Sequence, residues 1–224
     1  MLVSTVFIVS LVERVKNALK KKLIAKKAMQ IDRFIYFTFT YLDTSLEQIK
    51  KYILEKWGSD DKYRIIDSPF QFNLYDLCPP NGGAHFEKLY FFTPKLCKNK
   101  CIMFSNYSDG LSSLIHVLTN DLKIKAYSFR ISANNIPEAL NEFSCIENGK
   151  TLRTVYAMKD PKWKFYCEGE IQPFEEKKFY ERKIIKQRLN KEILISYCVK
   201  LGIDIREDSF WKSQQSLFVE RISW

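Results

Sequence analysis

The stretch Glu142-Phe-Ser-Cys-Ile-Glu-Asn-Gly-Lys-Thr-Leu-Arg-Thr-Val-Tyr-Ala-Met-Lys-Asp-Pro-Lys-Trp-Lys-Phe-Tyr-Cys167 reads as three antiparallel strands joined by two tight turns. Asn148-Gly149 carries the chemistry of a type I′ hairpin turn, in which both central residues take positive φ. That turn sets Cys145 opposite Leu152 and Phe143 opposite Thr154. A second turn over residues 159–162 that pairs Met158 with Trp163 sets Tyr156 opposite Phe165 and Thr154 opposite Cys167. In this register Phe143, Cys145, Leu152, Tyr156, Met158, Trp163, Phe165 and Cys167 share one face, and Ser144, Arg153, Val155, Lys164 and Tyr166 share the other. Strand side chains alternate with a period of two, so the first set is the expected core and the second the expected surface.

The meander runs into an acidic turn (Glu168, Glu170, Glu175, Glu176) and then a basic stretch carrying Lys177, Lys178, Arg182, Lys183, Lys186 and Arg188. This stretch is expected to form a basic helix over 177–191. Its charges read most simply as a solvated, salt-bridged surface. Asn190 caps a further helix whose buried side is Ile193, Leu194, Tyr197, Cys198 and Leu201, with Gly202 ending it. Residues 203–224 read as a tail that docks its rings, Phe210, Trp211, Phe218 and Trp224, since leaving them in water would create a sticky patch.

Upstream, residues 31–41 are dense in aromatic and β-branched side chains on both faces, the pattern of a central strand. Thr44 and Glu47 form a capping box for a helix over 45–57, with Leu46, Ile49, Ile53, Leu54 and Trp57 on one stripe and a left-handed Gly58 as its stop. Short strands follow from Tyr63, broken at Ser68-Pro69, and residues 79–83 (Pro-Pro-Asn-Gly-Gly) form a turn. Strands are expected over 86–93, 100–106 and 124–131. Between the last two, a helix capped by Asp109 runs over 110–122.

The net charge of +10 is unevenly spread: residues 13–27 hold seven basic residues against the single acid Glu13, more than half of the excess. The remainder is too small for a nucleic-acid footprint over the body of the chain. The apolar run 2–12 is about half the ~20 residues needed to span a bilayer. Two readings of residues 1–28 stand: a basic amphipathic helix suited to an anionic membrane surface, or sequence upstream of a native start at Met29. Six cysteines without a secretory signal, in a chain long enough to build a core, indicate reduced thiols in the cytoplasm.

Catalytic chemistry is thinly represented. Cys78, His85, Cys97 and Cys101 supply the residue types of a zinc site but lack a paired C-x-x-C knuckle, so they read as free thiols beside a histidine. His85 and His116 are the only histidines, and His116 falls beside the apolar stripe of its helix, as a structural histidine does. Asp160 with Glu176, Lys177 and Lys178 has the residue types of a metal-dependent nuclease, but the aspartate sits in a turn and the glutamate precedes a solvated helix. No P-loop, dinucleotide or nucleophile-elbow motif is present. Neither a cofactor nor a metal is expected.

The segments 106–115 (Asn-Tyr-Ser-Asp-Gly-Leu-Ser-Ser-Leu-Ile), 156–166 (Tyr-Ala-Met-Lys-Asp-Pro-Lys-Trp-Lys-Phe-Tyr), 173–175 (Pro-Phe-Glu) and 186–189 (Lys-Gln-Arg-Leu) resemble those of a family of small uncharacterised bacterial proteins of the toxin-immunity type. The resemblance covers roughly residues 31–202 and carries no catalytic residues. It implies a protein that neutralises a toxin domain by occupying its active face.

The expectation is an α+β protein: residues 1–28 as an N-terminal extension, and 29–224 as one domain with a mostly antiparallel sheet, a C-terminal three-stranded meander and three to four covering helices. The expected function is non-enzymatic protein binding in the cytoplasm. The partner-binding residues would be Arg153, Lys164, Tyr166, Glu168, Glu170, Glu175, Glu176, Arg182, Lys183, Lys186 and Arg188. Nucleic-acid binding or processing through the 177–191 segment is the alternative, and the oligomeric state is left open.

Overall fold

In the computed structural model the chain runs β1 (Tyr36–Leu42), α1 (Leu46–Trp57), β2 (Tyr63–Asp67), β3 (Lys88–Phe92), β4 (Cys101–Ser105), α2 (Ser112–Leu122), β5 (Lys125–Ser132), β6 (Leu140–Glu147), β7 (Lys150–Asp160), β8 (Lys162–Gly169), α3 (Lys177–Tyr180), α4 (Lys191–Lys200) and β9 (Ser216–Arg221). The structure describes residues 30–224 apart from 73–84, 96, 98–99, 134–135 and 214. The expected N-terminal extension, the turn at 79–83 and Cys78 lie outside the described residues. Ile31–Trp224 form one compact unit.

The architecture is sheet-rich α+β. Nine strands make one antiparallel sheet in the order β2-β9-β3-β4-β1-β5-β6-β7-β8, which puts β1 fifth. Its alternation explains that place. Phe37, Phe39 and Tyr41 enter an aromatic layer on one face, and Leu42 enters an aliphatic layer on the other. The aliphatic layer packs Leu46, Ile49 and Ile53 of α1, and Ile115 and Leu118 of α2, onto Leu89, Phe91, Met103, Ala126, Ile146, Leu217 and Val219. On the aromatic side, Phe37 meets Phe104 and Trp211, while Phe143 meets Phe174 and Tyr197 of α4. At about 25 cal/mol per Å² of apolar surface removed from water, these two layers are the main stabilising term.

Helix signals are local, and several hold. Ser45, not Thr44, is the cap of α1: its hydroxyl accepts from the Gln48 amide, while Thr44 donates to the Gln48 side chain. Gly58 remains right-handed (φ −65°), so it does not stop α1 in the expected left-handed form. Asn190 caps α4 by accepting from the Ile193 amide, and Gly202 follows it with φ +76°. Asp109 turns its carboxylate to the Leu111 amide and the Ser112 hydroxyl, but α2 itself begins at Ser112, after left-handed Gly110 and Leu111.

Three further expectations are corrected. The Asn148-Gly149 turn forms with φ of 49° and 72° and pairs Glu147 with Lys150, yet a bulge then leaves Leu152 without a partner on β6, so Cys145 faces Arg153 and Phe143 faces Val155. At the second turn Lys159 faces Trp163, and so Tyr156 faces Tyr166. The two one-residue slips, one against each neighbour, exchange the two faces of β7 while β6 and β8 keep theirs. Arg153, Val155 and Ala157 point into the aromatic side, while Tyr156 and Met158 share the other side with Thr154, Lys164 and Tyr166. Second, the basic segment is no long helix. α3 is one turn, Ile185–Gln187 is a 3-10 turn, and Arg182 and Arg188 spend their guanidiniums on the carbonyls of Gln187 and Arg182. Third, the tail does more than dock. Phe210 and Trp211 are buried, but Ser216–Arg221 inserts as β9 between β2 and β3, with Leu217 and Val219 in the aliphatic layer.

Candidate functional site

Beyond α2, the sheet face that this helix covers continues as polar rows across the strands. Register gives one row as Thr40, Ser128, Ser144, Thr154 and Glu168, and the next as Thr38, Arg130, Glu142, Tyr156 and Tyr166. Leu140, Met158 and Lys164 follow in a third. The alternate positions of the same strands (Phe39, Phe129, Phe143) are fully buried on the aromatic side. Thr38 and Thr40 are buried, but from β5 outward the hydroxyl and charged side chains of these rows are partly or fully exposed, which marks a side open to water.

Two hollows lie on this face and meet at Arg130. One, about 300 Å³, is bounded by Asp109, Ser112 and His116 at α2 and by Ser128, Glu142 and Thr154 on the strands. The other, about 430 Å³, is bounded by Tyr36, Glu138, Met158 and Asp160. The Arg130 guanidinium stands 3.7 Å from Glu142, and its Nε is buried without a hydrogen-bond partner among the described residues. Glu142 also accepts from the Ser144 hydroxyl at 3.4 Å. Tyr156 and Tyr166 stack at 5.1 Å and 19°, and the Tyr166 hydroxyl donates to Glu168.

His116 is the one histidine at this face, and both its nitrogens are engaged. Nδ1 lies 2.9 Å from the Ser112 carbonyl, which can only accept, so Nδ1 carries the proton and Nε2 accepts from the Thr151 hydroxyl at 3.0 Å. A backbone carbonyl orients the ring where a nucleophilic triad would use a carboxylate. The expected satisfied structural histidine is what these contacts describe.

The expected partner residues divide between the two sides of the sheet. Lys164, Tyr166 and Glu168 stand on the open face, with Lys164 3.7 Å from Asp160. Arg153 and Glu175 lie inside, with side chains 4% and 0% exposed. Arg153 donates to both Glu175 oxygens and to the Gly169 carbonyl, and Glu175 also receives Tyr180 Oη at 2.6 Å and the Gln172 amide at 2.7 Å. Burial opposes the Arg153 charge, but the Glu175 hydrogen bond and charge outweigh it and hold the guanidinium above its ordinary pKa. Burial, followed by the Glu175 contact, pushes the Tyr180 phenol well up.

On the far side, Glu176 joins Lys178 at 2.6 Å and Lys200 at 2.7 Å, and those hydrogen bonds hold its carboxyl down to about 2. Arg182 lies over Phe179 and Arg188 over Phe165. Glu170, Lys183 and Lys186 are exposed. Asp160 and Glu176, the acids of the nuclease reading, are thus each engaged by lysines, at Lys164 and at Lys178 and Lys200.

Among the described residues no three His, Cys, Asp or Glu side chains gather as a metal site. The Cys97 thiol donates to the Gly202 carbonyl, Cys101 is buried in the aliphatic layer, and His85 stacks on Tyr107 at 4.1 Å. No described helix is long and apolar enough to cross a membrane.

Sequence reasoning missed Arg130, Glu142 and the hydroxyl rows. The available signal was Ser128 and Arg130 alternating with Tyr127 and Phe129, and Glu142 and Ser144 alternating with Phe143 and Cys145. No protein-family model matches the chain, and neither a curated protein nor a solved structure does.

Proposed function

We propose that the chain is a non-enzymatic protein-binding protein that engages its partner through the open face of β5–β8. The observation that carries this reading is the row Arg130, Glu142, Tyr156 and Tyr166, flanked by Met158 and Lys164 and bordered by hydroxyls. Tyrosine, methionine and arginine are the residue types enriched where proteins meet, and rigid rings beside small hydroxyls supply contact area at low entropic cost. On this reading β6, β7 and β8 act as a three-stranded meander whose aromatic side is packed by α4 and whose other side is left open beyond the end that α2 covers. The compartment is a reducing cytoplasm in which the thiols stay free. The resemblance to toxin-immunity proteins supplies the partner's kind, a toxin domain whose active face is occupied.

The test is affinity purification of the tagged chain from its native host with nuclease treatment. One protein retained through that treatment, and lost with Arg130→Ala and Tyr156→Ala while Lys183→Glu keeps it, supports the reading. Relief of a neighbouring toxin gene's growth arrest by the wild-type chain, but not by these two variants, supports the immunity form. Retention of nucleic acid that weakens steeply with salt and depends on Lys183, Lys186 and Arg188 would move the function to the nucleic-acid alternative.

A further inference from the structure

We infer that β8 is a self-complementary edge through which two copies of this chain pair antiparallel, continuing the sheet from one copy into the other. β8 ends the strand order, and among the described residues no strand pairs with its outer side. Six of its eight residues are exposed, with only Trp163 and Phe165 partly covered. An open edge of this length is a template for another strand.

The occupant follows from charge. A two-fold axis perpendicular to the sheet requires one residue to face its own copy. Centring on Tyr166 sets Lys164 opposite Glu168 of the second copy, and Lys162 opposite Glu170 of the second copy. Each opposition occurs twice by symmetry. Centring on Phe165 leaves only Lys162 facing Glu168, and centring on Cys167 leaves only Lys164 facing Glu170. Opposite charges directly across an antiparallel pair stabilise it and like charges destabilise it, so one register is favoured over its neighbours. The residues are available for this exchange. Among the described residues, Glu168 is held only by the Tyr166 hydroxyl, Lys164 only by the exposed Asp160 at 3.7 Å, and Lys162 and Glu170 have no charged partner.

The side chains between the charges agree. On the open face Tyr166 meets Tyr166 of the second copy, extending the Tyr156–Tyr166 stack across the junction. On the other face Trp163 falls opposite Gly169, where an aromatic ring covers a glycine that packs poorly alone. The ladder also persists past that glycine, since the Glu170 amide still donates to the Leu152 carbonyl. The opposite edge offers nothing comparable: centring β2 on Ile65 sets Arg64 against Ile66 and Tyr63 against Asp67. Lysines on an edge discourage indiscriminate pairing, and here the acids four and eight residues from Lys164 and Lys162 admit one strand, its own copy.

The inference stands apart from the proposed binding role and is tested without any other protein. Sedimentation velocity on the full chain from micromolar to millimolar concentration should show a reversible monomer–dimer equilibrium. Lys164→Glu and Glu168→Lys should each weaken it about tenfold, because every such change replaces two attractive oppositions with two repulsive ones. The double variant Lys164→Glu/Glu168→Lys should recover wild-type association. Mixing the two single variants should give a heterodimer tighter than either homodimer, and that readout holds even if a single variant is somewhat less stable. A wild-type chain that stays monomeric across this range, or a dimer indifferent to all three charge changes, overturns the inference.

Discussion

Arg153 and Glu175 form a forked ion pair inside the aromatic side of the sheet, closed at 2.8 Å and shared with the hydroxyl of Tyr180. The pair joins β7 to the segment leading into α3, and Tyr197 of α4 extends it through a 3.0 Å contact with Tyr180. Removing one member leaves the other charge buried and unpaired, which costs about 3–5 kcal/mol. Arg153→Met and Glu175→Gln should each lower unfolding free energy by that order in urea titrations. The double variant Arg153→Met/Glu175→Leu should recover a large part of the loss, because it leaves no orphan charge. Equal losses in the single and double variants would refute this account.

Glu176, one residue further, behaves differently because it is at the surface. Lys178 and Lys200 hold its carboxyl at about 2 against an ordinary 4.5. A folded-state pKa below the unfolded value means the contribution is complete above pH 4.5 and disappears as pH falls towards 2. Melting temperatures of the wild type and Glu176→Gln should therefore differ modestly at neutral pH and converge over that window. Solvent and salt screen exposed pairs of this kind, so added salt should shrink the difference.

The five thiols among the described residues should separate into two classes. Cys167 is exposed and Cys97 half-buried, whereas Cys101, Cys145 and Cys198 are buried. Burial pushes the Cys145 thiol up to about 11 and raises Cys198 well above the ordinary value. Since the thiolate is the reactive form, iodoacetamide at neutral pH should mark Cys167 first and Cys97 next. The three buried thiols should react only after denaturant is added. Peptide mapping reads the order directly.

A glycine on β8 gives the sharpest backbone test. Gly169 has φ +87°, and a methyl group there would fall 1.9 Å from the Leu152 carbonyl oxygen. Gly202 is also left-handed, but its nearest neighbour would be the flexible Lys100 ammonium at 3.4 Å. Gly169→Ala should destabilise by roughly 1–3 kcal/mol, and Gly202→Ala should cost less. Thermal unfolding of the two variants side by side decides it.

These sites show which parts of the fold can be read in one dimension. Asn190, Gly202 and Asn148-Gly149 declare themselves because caps and turns are satisfied by neighbours within a few residues. Strand β1 does so because a run apolar on both faces has to be interior. The bulge at Leu152 has no such local mark. It follows from which side of β7 is buried, and that depends on Glu175 waiting for Arg153 across the aromatic layer. The Arg130–Glu142 contact is hidden for a related reason, since it exists only once β5 and β6 are in register. Strand β9 alternates plainly at Leu217 and Val219, yet nothing near it in sequence tells which strands it will join.

That last placement bears on how the protein is made. Arg64 and Glu220 are ion-paired neighbours in the finished sheet but stand 156 residues apart in the chain. At about 5–20 residues per second, β2 leaves the ribosome roughly eight to thirty seconds before the strand that joins it to β3. For that interval β2 has no sheet to belong to, and the outer edge of β3 lies bare. Birth of this protein thus has a vulnerable window that closes only when β9 emerges, and a nascent-chain chaperone would find its substrate there.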